Sequence, residues 1–239
     1  MSTASKCIRI ALLGAESTGK TSLSLGLAKV LTGQGLNAVC VPESLRDWCE
    51  GHGRTPQAHE QADIAERQAQ AIFFQSSEWV IADTTPLMTA VYSDFIFKDR
   101  SLYASALTHQ AQFDLTLLMG LDVAWVADGL QRDGAHVREP VDGLIRRALQ
   151  DAMLPFKVIY GQGDARLNAA LLAISEGLGG LPQVSVLRNA LPSLQSTHSQ
   201  REVSQYGLNQ GQTAWRCDLC SDSECEHRLF SDLLKSAGQ

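Results

Sequence analysis

Several groups of residues in this chain stand at spacings that could do chemistry. Lys20 and Thr21 close the run GAESTGKT, Gly14 to Thr21, which fits the pattern G-x-x-x-x-G-K-[ST] at every fixed position. Glu43 and Asp83 each stand at the end of a short apolar run, VCVPE and WVIAD. Arg132 and Arg138 lie in a polar, glycine-containing stretch, DGLQRDGAHVREP. Cys217, Cys220, Cys225 and His227 crowd together near the C-terminus. The first three groups suit phosphoryl transfer. A lysine and a metal-binding hydroxyl neutralise a polyphosphate, one carboxylate activates an acceptor hydroxyl, and a second holds Mg²⁺ through its water shell. Arginines then close on the group in flight. The last group suits a different task, a tetrahedral Cys₃His zinc site.

The glycine run is informative before its context is considered, since average composition gives such a match in about one chain in a hundred of this length. Its surroundings agree with it. Cys7 to Leu13 is an apolar, partly β-branched run that reads as a buried strand. Leu23, Leu27, Val30 and Leu31 follow at the spacing of one helix face. Strand, glycine loop and helix in that order make an anion cradle, with loop N–H groups facing inward and the helix N-terminus adding partial positive charge. Gly14, Ser17, Thr18, Gly19, Lys20, Thr21 and Ser22 are expected to hold the phosphates of ATP, with Lys20 on the β- and γ-phosphates and the Thr21 hydroxyl on Mg²⁺.

The elements that must position these groups alternate along the chain. A first helix is expected over Lys20 to Thr32, a strand over Ala38 to Val41, and a short helix carrying Arg46 and Trp48. Glu43 then stands at the C-terminal edge of a parallel strand, the edge where open α/β sheets bind ligands; a solvated loop acid is the alternative. Helical spacing over Gln57 to Ser77 includes Gln68, a residue that reaches a substrate or serves structure. Trp79 to Asp83 reads as a third strand, followed by Pro86 placed for a helix first turn. Helices over Leu87 to Phe97 and Ser101 to Gln112 come next, with Tyr92, Phe95 and Phe97 read as packing residues. Phe113 to Gly120 is the fourth strand, then the arginine-bearing stretch Asp128 to Pro140, read as a mobile lid. A helix over Val141 to Met153, a fifth strand over Phe156 to Tyr160 and a helix over Asp164 to Leu178 complete the alternation. Five strands alternating with helices predict an α/β fold, a mostly parallel five-stranded sheet with helices on both faces.

Past residue 178 the composition changes. Residues 179–212 are rich in Ser, Gln and Asn and are expected to form a linker or irregular arm, and residues 213–239 a Cys/His cluster with a short C-terminal helix. The CxxC of Cys217 and Cys220 offers two zinc ligands at good geometry, but Cys225 and His227 stand only two apart; incidental thiols on a helical tail are the equal alternative. Cys7, Cys40 and Cys49 are scattered and read as small buried apolar residues. A net charge of −6 argues against a general nucleic-acid binder, which needs a basic face. No apolar run reaches membrane-span length and the N-terminus lacks a signal-peptide core, so a cytoplasmic protein with no membrane partner is expected.

Taken together, GAESTGKT, VPESLRDW, ADTTPLMT and AWVADGLQRDG resemble the P-loop kinase domain of NadR-type nicotinamide riboside kinases, over about residues 8 to 178. VPESLRDWC also resembles the VPE…W run of deoxynucleoside kinases, in which the Glu deprotonates the nucleoside hydroxyl. The resemblance implies a P-loop NTPase fold over residues 1–178, with ATP and a small nucleoside-like molecule as substrates. It implies Glu43 as base or ribose ligand, Asp83 on Mg²⁺, and Arg132 and Arg138 as lid cations. Trp48 either stacks on the substrate ring or packs. Nicotinamide riboside is the first expectation for the acceptor and a deoxynucleoside the second. A regulatory ATPase whose metal-binding arm holds a partner protein is a third reading; the single Asp ending the third strand, where hydrolytic motors commonly carry Asp-Glu, weighs against it. Neither an adenylyltransferase nor a DNA-binding domain is expected beside the kinase in these 239 residues.

Overall fold

The computed structural model describes residues 6–124, 135–181 and 184. Five strands, β1 (Ile8–Leu13), β2 (Ala38–Val41), β3 (Trp79–Asp83), β4 (Leu115–Met119) and β5 (Lys157–Ile159), form one sheet in the order β2-β3-β1-β4-β5. Every pairing is parallel, with Leu12 beside both Asp83 and Leu117, and Met119 beside Ile159. The expected α/β P-loop architecture is therefore present, and the strand order adds what periodicity could not give. Chain order reverses between β1 and β4, and at such a switch point the loops leaving the C-terminal strand ends part to form a crevice.

Among the described residues seven α-helices cover the two faces: α1 (Lys20–Gly33), α2 (Ser44–His52), α3 (Gln61–Phe73), α4 (Pro86–Tyr92), α5 (Tyr103–Gln110), α6 (Arg138–Asp151) and α7 (Gly163–Gly177). On one face, Leu23, Leu27 and Leu31 of α1 and Leu171 and Ile174 of α7 pack against Ile8, Ile10, Leu12 and Ile81. On the other, Leu87 and Val91 of α4 and Val141, Ile145 and Leu149 of α6 pack against Leu13 and Leu118, while Ile72 of α3 covers Val41 and Val80. Strands sandwiched this way are apolar on both sides, which is why they read as continuous runs rather than alternating ones. Each fully buried Leu or Ile contributes about 1.5–3 kcal/mol relative to exposure. A buried polar chain ties the second face together: Thr85 Oγ1 donates to Gln110 Oε1 at 2.7 Å, and Gln110 Nε2 donates to Thr116 Oγ1 at 2.9 Å.

Three expectations need correction. The helix predicted from Gln57 to Ser77 begins as a 3₁₀ turn, Ala58–Glu60, and α3 stops at Phe73. The helix predicted through Phe97 ends as α at Tyr92 and continues as a π turn, Ser93–Phe97, closed by Lys98 in the left-handed region at φ 60°. The stretch read as an open loop through Pro140 is already ordered at Ala135–Val137, a 3₁₀ turn, and α6 starts at Arg138. Pro140 falls in the first turn of that helix, where its missing N–H leaves no bond unmade, so it does not mark the end of a loop.

Candidate active site

The glycine loop leaves β1 and enters α1 at the switch point. Gly14 has φ 151°, and a Cβ there would stand 2.9 Å from both Met119 Cβ and Thr18 Oγ1. Glycine is required because the loop lies directly against β4. Gly19 sits just before α1 at φ 81° and, as its N-cap residue, brings no side-chain cap. The first N–H groups of α1 have no acceptor within the helix, and its N-terminus carries the partial positive charge that suits an anion. Thr18 Oγ1 donates to Ala15 O at 2.7 Å and pins the loop's curl. Lys20 Nζ donates to Gly14 O at 2.8 Å and Ala15 O at 3.0 Å, so the ammonium lies over the cradle.

Beneath the loop lies a residue the sequence reading did not single out. Arg166 of α7 is 4% exposed. It donates to Thr18 O, to Gly161 O at 2.6 Å and to Gly120 O at 3.4 Å, and pairs with Asp122 at 2.5 Å. Asp122 in turn accepts from Gly161 N–H at 2.6 Å. One guanidinium therefore joins the phosphate loop to the segments leaving β4 and β5. Burial lowers its pKa, while the Asp122 carboxylate acts in the opposite sense. A signal was present in the sequence: Arg166 shares the helical face of Ala170 and Ile174, a core face where a charge needs a dedicated partner set.

A cavity of about 1140 Å³ opens over the loop. The phosphate loop and the start of α1, residues 16–22, line it together with Glu43 and with Arg46 and Cys49 of α2. The segment 54–57, Gln61 of α3, and Met88, Tyr92, Ile96 and Phe97 line it as well, as do Val123 and Ala124 past β4. Glu43 precedes α2 and looks onto the same space as Lys20, Thr21 and Ser22, so the structure brings these predicted residues together. Of the three aromatics read as packing residues, Tyr92 and Phe95 do pack against the α4–α6 core, while Tyr92 and Phe97 also line the cavity. The π turn puts more residues in each turn and so shifts the phase of those that follow Tyr92.

Asp83 ends β3, is 3% exposed and is not among the cavity-lining residues. It lies close enough to Cys40 to push that thiol's pKa upward, behind the larger effect of burial and against a hydrogen bond from Ser24. Cys49 is likewise raised, by burial first and then by Glu43. Cys7, Cys40 and Cys49 are free thiols; Cys49 is buried and the other two are half-buried. Thr84, immediately after Asp83, has φ 86°. A β-branched residue in that region costs on the order of 1–3 kcal/mol and persists only where its surroundings enforce it.

Trp48 packs. Its ring stacks on His52 at 3.9 Å between centroids, and Arg54 covers it at 4.8 Å. Arg54 grips Glu60 through both fork nitrogens at 2.7 Å, and Glu60 also accepts from Gln57 N–H at 2.8 Å. These bonds hold the Glu60 carboxyl at about 2 and fix the segment 54–57 as a wall. Gln68 is buried and bonded to backbone at the ends of β2 and β3. Arg138 is 8% exposed, and its Nη2 donates to Leu121 O at 3.3 Å. It is thus a helix-borne, buried cation rather than one on an open loop. Arg146 pairs with Asp142 at 2.7 Å along α6. Arg132 lies outside the described residues, as do Cys217, Cys220, Cys225 and His227. Among the described residues no group of three or more His, Cys, Asp or Glu is placed to hold a metal, and no helix is long and apolar enough to cross a membrane.

Comparison with known proteins agrees with this geometry. A family model described as "AAA domain" matches residues 9–166. The trifunctional NAD biosynthesis/regulator protein NadR of Escherichia coli (strain K12) is 28% identical over 179 residues, 71% of this chain and 42% of the relative. Its Salmonella typhimurium (strain LT2) counterpart is 29% identical over the same span. The chain thus spans less than half the length of these curated relatives. A solved structure described as NadR protein in complex with NR superposes with a TM-score of 0.59 at 19% identity, covering 72% of this chain and 51% of that one.

Proposed function

The chain belongs to the AAA-domain family matched over residues 9–166, and on that premise we propose that it is an ATP-dependent small-molecule kinase. The γ-phosphoryl group of ATP passes to the 5′-hydroxyl of a ribosyl compound, with nicotinamide riboside as the acceptor of first choice. One observation carries the reading: the phosphate cradle and Glu43 border a single cavity of about 1140 Å³, whose lining also includes Arg46, Arg54, Tyr92 and Phe97. A triphosphate and a ring-bearing acceptor fit end to end in such a space. The similarity to NadR supports the choice of acceptor.

In this reading the acceptor oxygen forms a bond to the γ-phosphorus as the bond from that phosphorus to the β,γ-bridging oxygen breaks. The hydroxyl proton goes to Glu43 and ADP leaves. Lys20 exchanges the Gly14 and Ala15 carbonyl oxygens for phosphate oxygens, and the N-terminus of α1 receives the rest of the charge. Mg²⁺ supplies neutralisation of the β- and γ-oxygens when bound. The hard oxygen donors it favours are present in the Thr21 hydroxyl and the Asp83 carboxylate, the latter acting through water. Arg138, with Arg132, serves the phosphoryl side of the site. Tyr92 and Phe97 shelter the acceptor ring and exclude water.

The test is phosphorylation by the purified protein of a panel containing nicotinamide riboside and the deoxyribonucleosides, with ADP release coupled to an optical readout. Nicotinamide riboside is expected to stimulate ADP release most. Preference for a deoxynucleoside would move the acceptor and leave the mechanism. ADP release that no nucleoside stimulates would sink the kinase reading in favour of a regulatory ATPase.

A further inference from the structure

The β2–β3 ladder ends at Val41 beside Ala82. Of the two carboxylates assigned roles above, Asp83 stands one position and Glu43 two positions past that point. Pro42 has no N–H to extend the ladder. What spans the gap is the side chain of Gln68 from α3, which is 1% exposed. Its Oε1 accepts from Ser44 N–H at 2.6 Å. Its Nε2 donates to Pro42 O at 3.2 Å and to Thr84 O at 3.5 Å. One acceptor facing an N–H and two hydrogens facing two carbonyls fix the orientation of the amide and use what only an amide side chain offers. Pro42 and Ser44 flank Glu43 and Thr84 follows Asp83, so two contacts bracket the first carboxylate and the third adjoins the second. Thr84 is also the residue at φ 86°, so one of these bonds holds the carbonyl of a strained corner.

We propose that Gln68 is a positioning residue that fixes the Glu43 corner against the Asp83 corner, so that the acceptor base and the metal-side carboxylate address the same phosphate. The inference rests on the kinase reading. Gln68 replaces the missing rungs of the ladder where β2, at the edge of the sheet among the described residues, would otherwise splay. A displacement of about 1 Å at a reacting group costs up to about 100-fold in rate, which is the scale at stake.

The experiment compares the full chain with Gln68→Glu and Gln68→Leu. Gln68→Glu keeps the acceptor for Ser44 N–H and loses both donations; Gln68→Leu loses all three contacts. Both variants are expected to lower kcat about 10- to 100-fold while the ATP KM moves less than about threefold. By titration calorimetry the Mg²⁺ concentration that half-saturates nucleotide binding should rise about fivefold, on the scale of losing a group that orients a metal ligand. A kcat unchanged in Gln68→Glu, or a fall in kcat matched by a rise in ATP KM and a loss of thermal stability, overturns the proposal. A wild-type measurement covers the case in which neither variant folds. Ser44 N–H opens a helix and has no helical partner, so hydrogen exchange slowed about 100-fold or more is expected only if the Gln68 oxygen holds it. Exchange at the rate of an open loop overturns the assignment. If the wild type phosphorylates no nucleoside, the kinase reading fails alone, and the Mg²⁺-linked binding and the Ser44 exchange still decide the role of Gln68.

Discussion

Replacing Arg166 by methionine tests the clamp under the phosphate loop. The side chain is 5% exposed, and methionine fills much of its volume without its donors. Three carbonyl oxygens, those of Thr18, Gly120 and Gly161, lose their guanidinium partner. Asp122 loses its ion pair but keeps Gly161 N–H, and at 33% exposure it recovers part of the loss from water. Buried acceptors left unmade cost about 1–3 kcal/mol each, and breaking a buried pair from one side costs about 3–5 kcal/mol in all. We take about 3–5 kcal/mol for the whole cluster, since the terms share atoms and do not add. For a chain of this size each kcal/mol moves Tm by about 2–4 °C, which gives a fall of about 6–20 °C. Differential scanning calorimetry reads it directly. Arg166→Lys should fall between, because a single ammonium reaches Asp122 but cannot span the loop and both strand ends as the planar fork does. Nucleotide affinity should drop in both variants. A Tm for Arg166→Met within about 3 °C of wild type would refute the reasoning.

Glu43→Gln keeps the shape of the cavity wall and removes the base; kcat should fall about 10²- to 10⁴-fold with the ATP KM unchanged, by steady-state kinetics on the best acceptor. Gly14→Ala places a methyl 2.9 Å from Met119 Cβ in a region of φ that suits only glycine, so fluorescent-nucleotide titration should show affinity lowered at least about tenfold. The Glu60 carboxyl, depressed to about 2 by Arg54 and Gln57, binds its proton more weakly folded than unfolded. Its contribution to stability is full above its ordinary value of 4.5 and is lost as pH falls through about 2. Carboxyl NMR titration should place the midpoint near 2, and Arg54→Ala should return it toward 4.5.

The elements that a single strand or helix decides for itself were legible. The five strand segments stood out because a doubly covered parallel strand is apolar on both sides. The phosphate loop stood out because Gly14, Gly19, Lys20 and Thr21 meet a backbone requirement and a charge requirement at once. Glu43 was found from its place past β2, and the cavity includes it. What depends on other parts of the chain was not legible. Phe97 reads as a packing residue along a regular helix, and a π turn carries no composition of its own. Arg138 reads as a loop residue because DGLQRDGAHVREP is polar and contains glycine, although α6 begins at Arg138 itself. Gln68 and Arg166 act through contacts with backbone carbonyls distant in sequence, and no spacing rule points to a carbonyl.

The position of β1 has a consequence for synthesis on the ribosome. The strand is made first, yet its partners arrive late: Ile8 waits for Trp79 on one edge and Ile10 for Leu115 on the other. At about 5–20 residues per second, the second partner follows about 5–20 s after the first strand leaves the exit tunnel. Until then IRIALL keeps at least one bare, largely apolar edge, the kind of nascent segment that is prone to aggregate and that chaperones shield. Nascent chains arrested before Leu115 should therefore remain protease-sensitive, and resistance should appear as β4 emerges.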